Sequence, residues 1–168
     1  NFNRIDNFSA FLTASPAVGS WHPQLTVGVQ KQWAKIEHNG ETLQMDTPLF
    51  FCTLNNGIQL PYHWTLSTDI NFQSKGDYQN IYMYQNVFMM NATLTKSFLN
   101  EHLSIHLQGI DLTHGRKDGN RIYNKHMNMD VANVSDSREL RFTIRYKFNT
   151  AKSKYKGKGA ATEEIKRL

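Results

Sequence analysis

Seven histidines, one cysteine and fourteen acidic residues are the groups with which this chain could hold a metal or move a proton. His102 and His106 stand four residues apart. On a helix that spacing lets two imidazoles share an ion. The surrounding residues alternate as a strand does, which separates the pair by about 13 Å, too far for one ion. They read instead as polar side chains on one strand face. No HExxH, cysteine-rich or GxSxG pattern occurs. Asp69, Asp111 and Asp130 fall on separate segments, so spacing supplies no carboxylate pair for acid–base catalysis. Lys156-Gly-Lys-Gly is too short for a phosphate-cradling loop, and Asn91-Ala-Thr and Asn133-Val-Ser read as chance matches to a glycosylation acceptor. The expectation is a chain with no catalytic residue, no metal and no cofactor, hence no enzyme. Cys52 alone excludes an intramolecular disulfide framework. The best chemical lead is a cationic row, Arg141, Thr143, Arg145 and Lys147.

The element that must position this row is a strand. In Glu139–Phe148, Leu140, Phe142, Ile144, Tyr146 and Phe148 alternate with the cationic set, giving one apolar and one charged face. Leu103, Ile105 and Leu107 alternate in the same way with His102, Ser104, His106 and Gln108. Gly109 shifts the phase, which predicts a β-bulge. Further strands are expected at Leu12–Val18, Leu25–Val29, Leu49–Leu54, Tyr62–Phe72, Val87–Phe98 and Ile122–Val134. Pro16 makes the first the weakest. Turns are expected at Gly19–Pro23, Asn55–Pro61, Leu99–Glu101, His114–Gly119 and Ser135–Ser137, with longer links at Ala34–Pro48 and Ser74–Asn86. The fold class is therefore all-β, an antiparallel meander of about eight strands, with no second domain.

The 168 residues carry 19 Lys+Arg and 14 Asp+Glu, a net charge of +5. Residues 149–168 hold six cations and two anions, so +4 of that charge belongs to the tail. Two regions follow: strands over 1–148 and a basic, flexible tail over 149–168. A solvated tail with Tyr155 as its lone aromatic does not point to nucleic acid. Mean hydropathy is −0.57, and no run reaches the ~18 apolar residues of a membrane helix. Alternating strands would dilute any membrane signal, so a membrane β-barrel stays open.

Two barrels fit the alternation. A soluble one would turn its apolar face inward around a core or small ligand; a transmembrane one would turn it to lipid and line a lumen with the polar face. Strands near ten residues favour the second. So do aromatics at the ends of the apolar faces, Trp21, Trp33, Tyr62, Trp64, Phe98, Tyr146 and Phe148, which match a membrane-interface girdle. The lumen-facing candidates are then His102, Ser104, His106, Gln108, Arg141, Thr143, Arg145 and Lys147. The cationic row would bias passage toward anions, or pair with acidic neighbours such as Asp130.

The stretch SDSRELRFTIRYKFNTAKSKYKGKGAATEEIKRL (Ser135–Leu168) resembles the carboxyl end of Bacteroidetes outer-membrane β-barrel proteins related to TonB-dependent receptors. LTKSFLNEHLSIHLQGIDL (Leu94–Leu112) and SPAVGSWHPQLTVGVQKQW (Ser15–Trp33) are similar too. The resemblance implies a larger parent with a signal peptide, a plug domain and an energy-coupling motif that lie outside this chain. It implies the C-terminal part of a transmembrane barrel that takes up nutrients. Tyr146 and Phe148 would match the aromatic end of the insertion-signal strand. Implied partners are outer-membrane lipid, the rest of the barrel and plug, a solute, and an energy-coupling protein reached through the absent part. The implied location is the bacterial outer membrane, with a periplasmic tail. About eight strands could also close as a small barrel. The rival readings are a soluble small-ligand barrel and a surface adhesion barrel.

One expectation conflicts with the rest. A periplasmic tail makes the Ser135–Ser137 link extracellular, and counting strands back puts the long Ala34–Pro48 and Ser74–Asn86 links on the periplasmic side. Membrane barrels place short turns there.

Overall fold

The computed structural model describes residues 2–134 and 136–148. The basic tail lies outside them. The chain runs through β1 (Phe2–Ala14), β2 (Trp21–His38), β3 (Glu41–Met45), β4 (Leu49–Leu60), β5 (Trp64–Gln73), β6 (Gly76–Tyr78), β7 (Ile81–Met83), β8 (Val87–Phe98), β9 (Leu103–Ile110), β10 (Lys117–Tyr123), β11 (Asn128–Val134) and β12 (Glu139–Tyr146). The expected all-β antiparallel class is found, with twelve strands among the described residues rather than about eight.

Seven strands form the wall, in the order β1-β2-β4-β5-β8-β9-β12, with β3 paired to the end of β2. The remaining four make a second sheet, β11-β10-β7-β6. Every pairing is antiparallel. The additional strands come from the links. Residues 111–138 form one long excursion carrying β10 and β11, so the expected turn at His114–Gly119 is partly strand, and Ile122–Val134 is not a wall strand. Its partner is β10 (Arg121↔Asp130), and β12 lies instead against β9. The first strand occupies Phe2–Ala14 and ends before Pro16. Gly109 makes no bulge: Leu140↔Gly109 and Glu139↔Ile110 continue the register unbroken. A Cβ on Gly109 would lie 2.6 Å from Cδ2 of Leu112, so the glycine makes room for that side chain.

This rearrangement removes the loop conflict. Residues 15–20, 61–63 and 99–102 are short turns on one rim. The β2–β4, β5–β8 and β9–β12 connections are long and share the other rim with Ser137. The C-terminal end of β12 returns to the short-turn rim, where Lys147 N–H donates to His102 C=O at 2.8 Å.

The buried core is not in the wall. Ala34, Ile36 and Met45 are the buried apolar cluster, packed by Ile5, Leu43, Tyr82 and Tyr123. They sit at the long-loop rim, where β2 runs on past β4 and the four-stranded sheet folds over it as a cap. Gln32 is buried there and stands in for a strand: its amide donates to Gln79 C=O at 2.8 Å and accepts from Gln79 N–H at 2.6 Å. Asp77 accepts from Thr47 N–H at 2.8 Å, and Asn80 donates to Tyr123 C=O at 2.9 Å. Met45→Ala removes the largest side chain of this cluster, which in a core costs about 2–5 kcal/mol. Limited proteolysis should then cut within residues 76–84 or 117–134, while β4, β5 and β8 stay protected.

Candidate functional site

The wall has two faces of opposite chemistry, and register makes each continuous. One apolar row runs Tyr146, Leu103 and Phe98 across β12, β9 and β8. Another runs Phe142, Leu107, Leu94, Leu66, Ile58 and Trp21 from β12 to β2. This face is open: Phe142 is 63% and Leu12 70% exposed. A soluble barrel would have buried it. The opposite face runs Arg141, Gln108, Thr93, Ser67, Gly57 and His22 in one row, and Thr143, His106, Thr95, Thr65 and Gln59 in the next.

Aromatics mark both ends of the apolar face. Trp21, Trp64, Phe98 and Tyr146 lie at the short-turn rim. Tyr62 projects from the turn beside them, and Phe148, just past β12, meets Tyr146 edge-on at 4.6 Å. Trp33 stands apart from this group, at the long-loop rim of the same face, with Lys31 Nζ 5.2 Å from its ring centre. Phe8, Phe50, Phe72 and Phe88 form a second aromatic row near that rim, which the sequence expectation missed. Phe88 and Phe98 end one strand. Ten residues at ~3.3 Å span about 33 Å, or about 25 Å of height at a ~40° tilt, the height of a transmembrane apolar band. Polar atoms within the band are partnered. Trp21 Nε1 donates to Asn56 Oδ1 at 3.2 Å, and Asn56 Nδ2 donates to Thr68 Oγ1 at 3.0 Å. Lys96 sits between the rings of Trp64 (5.0 Å) and Phe98 (5.4 Å) and donates to Tyr62 C=O.

Of the predicted lumen residues, Ser104, His106, Gln108, Arg141, Thr143 and Arg145 share the polar face of β9 and β12. His106 bonds both Thr95 Oγ1 (3.0 Å) and Ser104 Oγ (2.9 Å), a strand imidazole held between two hydroxyls. His102 and Lys147 fall outside the strands, at the short-turn rim, where His102 Nδ1 meets Leu99 C=O at 2.8 Å. Among the described residues no group of three His, Cys, Asp or Glu could hold a metal. The cationic row does not pair with Asp130. Arg141 bonds Glu139 two residues back at 2.9 Å, and Asp130 belongs to the cap, held by Arg121 at 2.6 and 3.0 Å. That bond holds the exposed Asp130 carboxyl below its ordinary value and raises the Arg121 guanidinium. Aromatics also enter the polar face. Phe11 and Phe51 flank Gly28, their ring centres 6.5 Å apart, and a Cβ at Gly28 would lie 2.3 Å from the Phe11 ring.

The buried carboxylate of Asp111 organises the long-loop rim beside β9. Burial alone pushes its pKa up. The Ser137 hydroxyl, the N–H groups of Gly115 (2.8 Å) and Arg116 (3.2 Å) and the Thr113 hydroxyl (3.4 Å) outweigh it and hold the carboxyl below its ordinary value. Nothing in the spacing of Asp111 signalled this, because its partners are backbone N–H groups and hydroxyls, one of them 26 residues away, that only the fold brings together.

A depressed folded pKa stabilises the loop at pH values above the unfolded one, and this stabilisation is lost as pH falls through the lowered value. Residues 111–116 and Ser137 should become protease-sensitive only below the ordinary carboxylate range. In Asp111→Asn they should be sensitive at neutral pH and show little further change on acidification.

Residues 1–146 match the pattern of the Outer membrane protein beta-barrel family. No curated protein and no solved structure matches the chain.

Proposed function

The chain belongs to the outer membrane protein beta-barrel family, and from that premise we propose that it is part of the wall of a larger barrel that takes up solutes across the outer membrane, in the manner of TonB-dependent receptors. The observation that carries this reading is the parity of the wall. Seven antiparallel strands leave β1 and β12 pointing the same way, each with one ladder among the described residues. Joining them directly, or around a membrane axis to a second copy, would create a parallel seam. An odd number of further strands closes an all-antiparallel barrel with an even count. One further strand would give the eight-stranded size whose interior side chains fill, whereas three or more give a barrel of ten or larger, with room for a solute path or a plug.

The polar face supplies the lining of that path. Its hydroxyl, amide and imidazole rows offer hydrogen bonds in register, and Arg141 and Arg145 add positive potential. The short turns face the periplasm and the long loops and cap face outward, which puts the C-terminal end of β12 on the periplasmic side. The apolar band faces outer-membrane lipid. A plug and an energy-coupling protein would act through parts of the protein outside this chain.

Energy-coupled uptake makes a direct prediction. Cells producing the whole protein should accumulate its solute above a deletion strain, and collapsing the proton-motive force should abolish the difference. Accumulation that survives a protonophore would replace this reading with a passive pore. Outer-membrane location with no protein-dependent accumulation would leave an adhesive or structural barrel.

A further inference from the structure

Where the cap folds over the polar face, it encloses a half-open cavity of about 510 Å³. That size suits a small solute. Gln73 and Met89 come from the wall, Met83 and Asn120 from the cap sheet, and Gln85 and Arg116 from the links between them. Gln73 and Met89 belong to the polar face, since Asn71↔Met89 and Gln73↔Val87 are register pairs and Asn71 follows Asp69 in phase. The cavity therefore opens on the face assigned to the lumen, at the rim assigned to the outside.

Its chemistry is specific. Arg116 has its backbone fixed by Asp111, and among the described residues its guanidinium has no carboxylate partner. The side-chain amides of Gln85 and Asn120 are likewise without a partner among the described residues. Gln73 spends its Nε2 on the sulfur of Met83 at 2.8 Å, a weak acceptor. The carboxylate of Asp69 is four strand residues from Gln73, about 13 Å away. A guanidinium and three amides with unspent hydrogen-bonding capacity thus stand beside two adaptable thioethers.

We propose that this cavity is the first binding site on the uptake path, and that it takes a small solute bearing a carboxylate beside a short apolar portion. Arg116 grips the carboxylate through paired N–H donors. Gln85 and Asn120 bond its polar remainder, and Met83 and Met89 pack the apolar part. Arg141 and Arg145 continue the positive potential along the same face. The assignment rests on the uptake reading for its role, but not for its existence as a site.

The test is binding to the whole purified protein in detergent micelles, using N-acetylleucine and its neutral amide as a matched pair. Saturable binding of the carboxylate, at least tenfold tighter than the amide, is expected. Arg116→Gln should remove about tenfold of that affinity, and Arg4→Gln, which deletes a like charge on the other face, should leave it unchanged. Arg116→Gln keeps the backbone contacts to Asp111, so intact folding is checked by unchanged protease resistance of residues 111–116. Equal binding of both probes, no saturable binding, or an Arg116→Gln variant that binds normally would overturn the site. Binding in micelles without uptake in cells would overturn the uptake role alone.

Discussion

In hydrocarbon a backbone N–H or C=O has no water to fall back on, and leaving one unpaired costs several kcal/mol. The rest of this structure follows from that constraint. It forces the wall into continuous antiparallel ladders. A ladder fixes alternation, and alternation lets a chain of negative mean hydropathy present an unbroken apolar surface. The side-chain exceptions within the band obey the same rule. Asn56 and Thr68 lie on the apolar face but bond to Trp21 and to each other. Lys96 keeps its stem against Trp64 and Phe98 and its charge on a turn carbonyl at the rim.

The solvent changes at the long-loop rim, and β2 records the change within one strand. Over Leu25–Val29 its apolar residues belong to the lipid-side face. Beyond Gln30 the apolar residues shift to the other parity, Ala34 and Ile36, and become the buried cluster under the cap. The even positions belong to the polar face below the rim, so the cap is built on that face. Outside the membrane the water-facing parity takes Trp33, Lys35 and Glu37. Once water can reach the chain, a hydrophobic core can form, and the cap alone has one.

The wall was legible in the sequence where the faces contrast sharply. Leu140, Phe142, Ile144 and Tyr146 against Arg141, Thr143 and Arg145 define β12 almost to the residue. The cap was not legible. Its strands β6 and β7 are three residues long, below the length at which a period of two can be recognised. β11 and the residue before it alternate as cleanly as a wall strand, with Met127, Met129 and Val131, and so read as one. Periodicity reports that a strand has two unlike surroundings, not which sheet it joins. The Asp111 anchor and the Gln32–Gln79 pair were hidden for a related reason. Each joins a side chain to backbone donors or acceptors, and backbone carries no sequence signal. Gly109 misled in the opposite direction, because a glycine that clears space for Leu112 looks the same in sequence as one that starts a bulge.

The assignment of strands to wall or cap decides which rim carries the long links. With Ile122–Val134 counted as a wall strand, the long links fall on the same side as the C-terminal end, contrary to the asymmetry of membrane barrels. Moving that segment into the cap makes the wall odd-numbered. The same step gathers every long connection on the rim opposite the end of β12 and leaves β1 and β12 parallel. Loop asymmetry and the odd crossing count are therefore one result. The one expected strand that joins the cap takes the crossings from eight to seven, and seven antiparallel crossings close on themselves only through a parallel seam.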